Sequence, residues 1–167
     1  MSGSKLQSDL LSAHVKEEIE HWKARFPDGR QRSAVISALH AVQHENDGYL
    51  TAELMNAVAD YLDLPTIQVY EVATFYSMFQ TKPVGRHNVA ICTNVSCMLR
   101  GADSIVAHVE KKLGIKLGEN TEDGRIYLKT EEECLAACCG APMMMVDHKY
   151  HENLTPDQVD DILDGLD

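Results

Sequence analysis

The sequence predicts a chain of mixed α+β or α/β class in two parts, a small helical bundle over residues 9–82 and a layered α/β domain over 83–167. Three observations predict it. Apolar residues recur every three or four positions as far as Phe79, the period of helices that bury one face. Lys82-Pro83-Val84-Gly85 interrupts that pattern, and alternation with a period of two follows, as in a strand. Four cysteines then fall in two close pairs in the second part.

Residues 1–8 carry no packing pattern and are expected to be a disordered lead-in. From Asp9 to Phe26, the apolar positions Leu11, Val15, Ile19, Trp22 and Phe26 step by four, four, three and four. That is one face of an amphipathic helix, and Pro27-Asp28-Gly29 ends it. Ser33 to about Gln43 reads as a second helix with Ile36, Leu39 and Val42 inward, followed by a turn at Glu45-Asn46-Asp47-Gly48. Thr51 is placed to cap a third helix carrying Leu54, Met55, Val58 and Leu62. Pro65 suits the first turn of a fourth, carrying Val69, Val72, Ala73, Tyr76 and Phe79. Four short helices with short turns make a bundle. His40 and His44 are four apart, but no His-Glu-x-x-His signature surrounds them, and they read as surface histidines.

In the second part, His87 to Cys92 is a short strand with Val89 and Ile91 alternating. After Cys97, Leu99 to Leu113 is helical, with Ala102, Val106, Val109 and Leu113 inward and Gly114 past its end. Leu117 to Gly124 reads as a polar loop, Ile126 to Lys129 as a strand, Met143 to Val146 as a third and Lys149 to His151 as a fourth. Alternation sends Met143, Met144 and Met145 to opposite faces, so they are strand core rather than metal ligands. Thr155 caps the last helix and Pro156 opens it, with Val159, Ile162, Leu163 and Leu166 packing down. The order β-α-β-β-β-α implies layers of helix on sheet.

Composition narrows the function. The 167 residues carry a formal net charge of -11. Residues 1–85 hold 7 basic and 11 acidic side chains, and residues 86–167 hold 8 and 15. No basic stripe is present to neutralise phosphates, which argues against nucleic-acid binding. No apolar run approaches the ~20 residues that span a bilayer, so no direct membrane insertion is expected. The N-terminal stretch lacks the apolar segment of a signal peptide, so a cytoplasmic location with reduced thiols is expected. Acid gathers at Glu131, Glu132 and Glu133 and in five aspartates from Asp157 to Asp167. It reads first as solvated surface charge, although negative charge beside a redox centre disfavours its reduced form.

The cysteines carry the chemistry. Cys92-Thr-Asn-Val-Ser-Cys97 and Cys134-Leu-Ala-Ala-Cys138 each sit between regular elements, with 36 residues separating the pairs. Two close thiol pairs complete the coordination of one zinc ion or one iron–sulfur cluster, and the spacing admits either. Thiol–disulfide exchange would use Cys-x-x-Cys, which occurs nowhere here. Both loops are expected at one end of the sheet, with a helix N-terminus aimed at them and with Gly101 and Gly140 making room for backbone near sulfur. Cys139 is an extra thiol beside Cys138.

The run Cys92-Thr-Asn-Val-Ser-Cys97-Met-Leu-Arg-Gly101, with Glu133-Cys134-Leu-Ala-Ala-Cys138-Cys139-Gly-Ala-Pro-Met143, closely resembles the family of [2Fe–2S] E subunits of NADH:quinone oxidoreductase, respiratory complex I. Leu64-Pro65, Val72-Ala73-Thr74-Phe75-Tyr76, Pro83-Val84-Gly85-Arg86-His87, Thr121-Glu-Asp-Gly124 and Leu154-Thr155-Pro156 extend the resemblance over nearly the whole chain. It implies a helical domain followed by a thioredoxin-like [2Fe–2S] ferredoxin domain. It implies one [2Fe–2S] cluster, carried onto Cys92, Cys97, Cys134 and Cys138. Ala136 departs from the glycine common there. The implied role is one-electron transfer with FMN on a partner, the F subunit of complex I, which also binds NADH. The iron–sulfur G subunit is a second implied partner. Neither a Gly-x-Gly-x-x-Gly nor a phosphate loop occurs here, so no complete active site is expected in this chain alone. Its location would be cytoplasmic and peripheral to the inner (plasma) membrane through complex I. A soluble NAD-linked hydrogenase or formate dehydrogenase would use an equivalent subunit. A structural zinc adaptor is the reading of another class.

Overall fold

A computed structural model describes residues 7–130 and 134–167. Most of the expected lead-in and the Glu131–Glu133 acidic run lie outside the described residues. The chain divides into two compact units, the first ending at Pro83 and the second beginning at Val84.

The first unit is all helix. A 3-10 turn, Gln7–Leu10, precedes α1 (Ala13–Lys23). The helix begins later than the periodicity suggests because the Ser12 hydroxyl accepts the Val15 N–H at 3.1 Å and fixes the cap there. A second 3-10 turn, Gln31–Ala34, leads into α2 (Val35–Glu45). Its inward stripe is Val35, Ala38, Leu39 and Val42, and Ile36 lies 36% exposed instead of inward. Ile36, one residue and about 100° on from Val35, falls off the edge of that stripe. Thr51 caps α3 (Ala52–Tyr61), accepting the Leu54 N–H at 3.2 Å. Pro65 is the residue before α4 (Thr66–Phe75) rather than within it. That helix stops short of Tyr76, which turns extended and outward, while Phe79 re-enters the core through a turn in which its N–H reaches Tyr76 O. Ile19, Leu39, Leu50, Val58, Leu62 and Val69 form the centre of this core. His40 lies beside Met78 and Phe79, as an ordinary surface histidine would.

The second unit is built on a mixed five-stranded sheet in the order β2-β3-β1-β4-β5. Its strands are β1 (His87–Ile91), β2 (Glu119–Asn120), β3 (Ile126–Leu128), β4 (Met144–Val146) and β5 (Lys149–His151). Only β1 and β3 pair in parallel; the other neighbours are antiparallel. β2 falls in the stretch read as a loop, and two exposed residues hold no apolar signal. The predicted helix over 99–113 is two helices, α5 (Val95–Leu99) and α6 (Ala102–Leu113), separated by Gly101 at φ 92°. The last helix, α7 (Pro156–Asp164), starts with a full capping box between Thr155 and Gln158. Val89, Ile91, Ile126, Leu128, Met144 and Val146 pack against Ile105 and Val109 of α6 and Val159 and Leu163 of α7. Gly85 runs so close to the Ile126–Tyr127 backbone that no β-carbon fits there.

Candidate metal centre

Parallel pairing of β1 and β3 sends both cysteine loops out of one end of the sheet, as expected. Cys92 is the residue after β1, and its N–H still reaches Met143 O at 3.2 Å, continuing the β1–β4 ladder. Asn94 accepts the Val95 N–H at 2.8 Å and starts α5. That short helix turns Cys97 inward and leaves Val95, Met98 and Leu99 exposed. Cys97 therefore lies on a helix, not ahead of one, and the N-terminus of α6 begins beyond Gly101.

Cys92 and Cys97 are 2% and 1% exposed, packed with Ala102, Leu135, Ala141 and Met143 in a cluster separate from the helix-side core. Met144 joins that other core, so the predicted alternation of the methionines holds. Burial, with the hydrogen bond and the charge of Cys92 next, pushes the Cys97 thiol up to about 11. A backbone hydrogen bond from Met143 opposes the shift, and charge on Cys138 adds to it. Two buried thiols in contact cannot both ionise unless a cation compensates them.

Cys134, Cys138 and Cys139 are exposed. The Cys134 sulfur accepts the Ala136 N–H of its own loop at 3.3 Å, and Leu135 beside it is buried. Ala136 adopts φ 58°, the left-handed region that glycine occupies at least cost. Its departure from the family's glycine is therefore more than an exchange of small side chains. Cys138–Gly140 forms a 3-10 turn, and Ala141–Pro142 is cis.

Thus Cys92 and Cys97 are together, Cys138 lies within reach of their charge, and Cys134 is on the rim. Among the described residues no three Cys, His, Asp or Glu side chains already stand as an ion-holding group. The donor set nevertheless fits a thiophilic centre: a buried thiol pair in an apolar shell, with Cys134 and Cys138 at the same sheet end. Metal binding would convert the thiols to thiolates and reverse the shift at Cys97.

The two glycines act otherwise than expected. Gly101 has open space around it and is required for its left-handed φ. A β-carbon on Gly140 would overlap the Glu152 side chain, not sulfur. Periodicity did not show α5 or the Gly140–Glu152 contact. Asn94, a good N-cap three residues before Cys97, was the available signal for α5.

Residues 19–167 match the family model described as thioredoxin-like [2Fe-2S] ferredoxin, in agreement with the fold that the resemblance implied. The E subunit of NADH-quinone oxidoreductase from Rickettsia conorii is 44% identical over 158 residues, covering 95% of this chain and 92% of its own. The E 2 subunit of NADH-quinone oxidoreductase from Rhizobium meliloti is 45% identical over 152 residues, covering 91% and 88%. Among solved structures, a chain of an NAD+-reducing [NiFe]-hydrogenase in the air-oxidized state aligns with a TM-score of 0.64 at 22% identity. The alignment covers 75% of this chain and 22% of the hydrogenase chain, a likeness of fold alone.

Proposed function

The chain belongs to the family of thioredoxin-like [2Fe–2S] ferredoxins that includes the E subunits of NADH-quinone oxidoreductase, and from that premise we propose that it is the electron-transfer subunit of such an oxidoreductase. It holds one [2Fe–2S] cluster on Cys92, Cys97, Cys134 and Cys138. Bound there, the cluster takes up and returns single electrons. The chain supplies the setting. Cys92 and Cys97 hold the inner edge, and Ala102, Leu135, Ala141 and Met143 keep water from it. Exposed Cys134 and Cys138 hold the outer edge, toward a redox partner.

That partner is a flavoprotein, the FMN- and NADH-binding F subunit, with the iron–sulfur G subunit as a further neighbour. The helical unit and the surface beside the cysteines are the regions offered to the flavoprotein. Among the described residues no helix is long and apolar enough to cross a membrane, which accords with peripheral attachment through the complex. The chain is one subunit of an oxidoreductase and has no complete active site of its own. The equivalent subunit of an NAD-linked hydrogenase or formate dehydrogenase is the second reading. The hydrogenase fold likeness favours it less than 44% identity along 95% of the chain favours the first.

The observation that carries the proposal is the buried Cys92–Cys97 pair at the sheet end to which Cys134 and Cys138 also lead. The test is an absorption spectrum with iron, zinc and acid-labile sulfide analysis of protein purified without oxygen. A red-brown chain with about two irons and two sulfides is expected. Zinc without iron would make this a structural adaptor. Alanine at Cys92, Cys97, Cys134 or Cys138 should lose the cluster, and Cys139→Ser should keep it. The reverse result at positions 138 and 139 would move the fourth ligand to Cys139. Co-purifying membrane-arm subunits, rather than a hydrogenase or molybdenum subunit, would separate the two oxidoreductase readings.

A further inference from the structure

We infer that Glu152 tunes the cysteine centre: its carboxylate, seated on Gly140, lowers the reduction potential of the cluster held there. The inference rests on the [2Fe–2S] reading above.

The geometry starts with the segment between β5 and α7. His151 pairs with Met144 across the β4–β5 ladder. Asn153 N–H donates to Gly140 O at 2.7 Å, and Leu154 N–H donates to Pro142 O at 3.0 Å. Leu154 is buried in the helix-side core, and Thr155 begins the capping box of α7. Glu152 is therefore exposed but held on both sides by backbone bonds. Its Cγ, Cδ and Oε2 occupy the space where a β-carbon on Gly140 would stand. Gly140 is not among the residues of positive φ, so the side chain of Glu152, rather than backbone conformation, opposes a larger residue there. Among the described residues Glu152 forms no ion pair that would cancel its charge.

Two residues of chain span at most ~7 Å, so the carboxylate seated on Gly140 lies within roughly 11 Å of the Cys138 α-carbon, about one Debye length at physiological salt. Adding an electron to a thiolate-bound cluster adds negative charge, and a nearby carboxylate opposes it. Exposure and salt screen that repulsion only in part at such a range. A three- to tenfold shift in the ratio of reduced to oxidised cluster at fixed potential is expected, which is about 30–59 mV for a one-electron couple.

The test is a potentiometric titration of the cluster-loaded chain, followed by EPR, with iron and sulfide measured on every sample. Glu152→Gln should raise the midpoint potential by that shift, and Glu152→Asp should move it less. Gly140→Ala, which expels the carboxylate without neutralising it, should also raise the potential. Its effect should shrink in the Glu152→Gln background, because contacting residues are not additive. A loaded chain whose potential ignores both Glu152→Gln and Gly140→Ala would overturn the inference alone. So would shifts that simply add in the double variant. A parent chain without iron and sulfide would overturn the cluster reading and this inference with it. Should Glu152→Gln fail to load, Gly140→Ala decides the matter by its own shift.

Discussion

Leu135→Ala tests the proposed ligand set through packing alone. Leu135 stands beside exposed Cys134, yet it is only 6% exposed and packs with Cys92, Cys97 and Met143. It is the apolar peg that holds the second cysteine loop against the first. Cutting it to alanine removes about 2 kcal/mol of burial, the low end for a Leu→Ala change because a loop can partly collapse. Every 1.4 kcal/mol is tenfold in an equilibrium constant. The open form of the loop should thus become about 30-fold more populated. If Cys134 and Cys138 are ligands, cluster loss passes through that local opening and its rate should rise by the same factor. The assay is the decay of visible absorbance of anaerobic protein mixed with a ferrous chelator. Leu135→Met, which conserves volume, should lose cluster at nearly the parent rate. An unchanged rate in Leu135→Ala would refute the reasoning, because the loop would then hold nothing that its opening releases.

Three other outcomes follow from the same structure. Ala136→Gly should stabilise the second unit by about 1 kcal/mol, since a left-handed alanine costs ~1–2 kcal/mol and glycine returns part of that as chain entropy; urea unfolding of the loaded chain reads it. Gly85→Ala should cost about 2 kcal/mol or more in the same assay, because its β-carbon would push on the β3 backbone. His87 is held above its ordinary 6.5, chiefly by its 2.6 Å hydrogen bond to Asp147. Its contribution is fully present below about pH 6.5 and is lost as pH rises through the raised folded-state value. His87→Gln should therefore flatten the fall in urea midpoint between mildly acidic and mildly alkaline buffer, and an unaltered fall would assign it to another group.

The elements readable in the sequence are those marked by short-range chemistry. Thr155, Pro156 and Gln158 announce α7 within four residues, and the capping box is present. The errors come where phase or partner is set at a distance. Ile36 sits at helical spacing from Leu39, but the buried stripe of α2 is centred on Val35, Ala38, Leu39 and Val42, and Ile36 falls at its exposed edge. Leu99 continues the period of α6, yet the left-handed turn at Gly101 ends that continuity and leaves Leu99 78% exposed. β2 exists only as a partner for β3, and two residues cannot display a period. The four thiols were legible because spacing is local, whereas their unequal burial was not, because it depends on which strand lies at the centre of the sheet.

That inequality has a physical source and a consequence. β1 lies between β3 and β4, so the residue that follows it, Cys92, is covered from both sides. α5 then folds Cys97 back beneath the same cover. The segment between β3 and β4 joins strands on either side of β1; it buries Leu135, Ala141 and Met143 against Cys92 and Cys97 and leaves Cys134 and Cys138 at the surface. A centre spanning both pairs would be dry on one edge and accessible on the other. Retention draws on both pairs: thiolates left buried without a cation are costly at the inner pair, and the outer loop must open for the cluster to leave. Exchange with a partner, and sensitivity to nearby charge such as Glu152, belong to the outer pair. Changes of packing around Cys92, Cys97 and Leu135 should thus act mainly on cluster content, and changes of charge beside Cys138 mainly on potential.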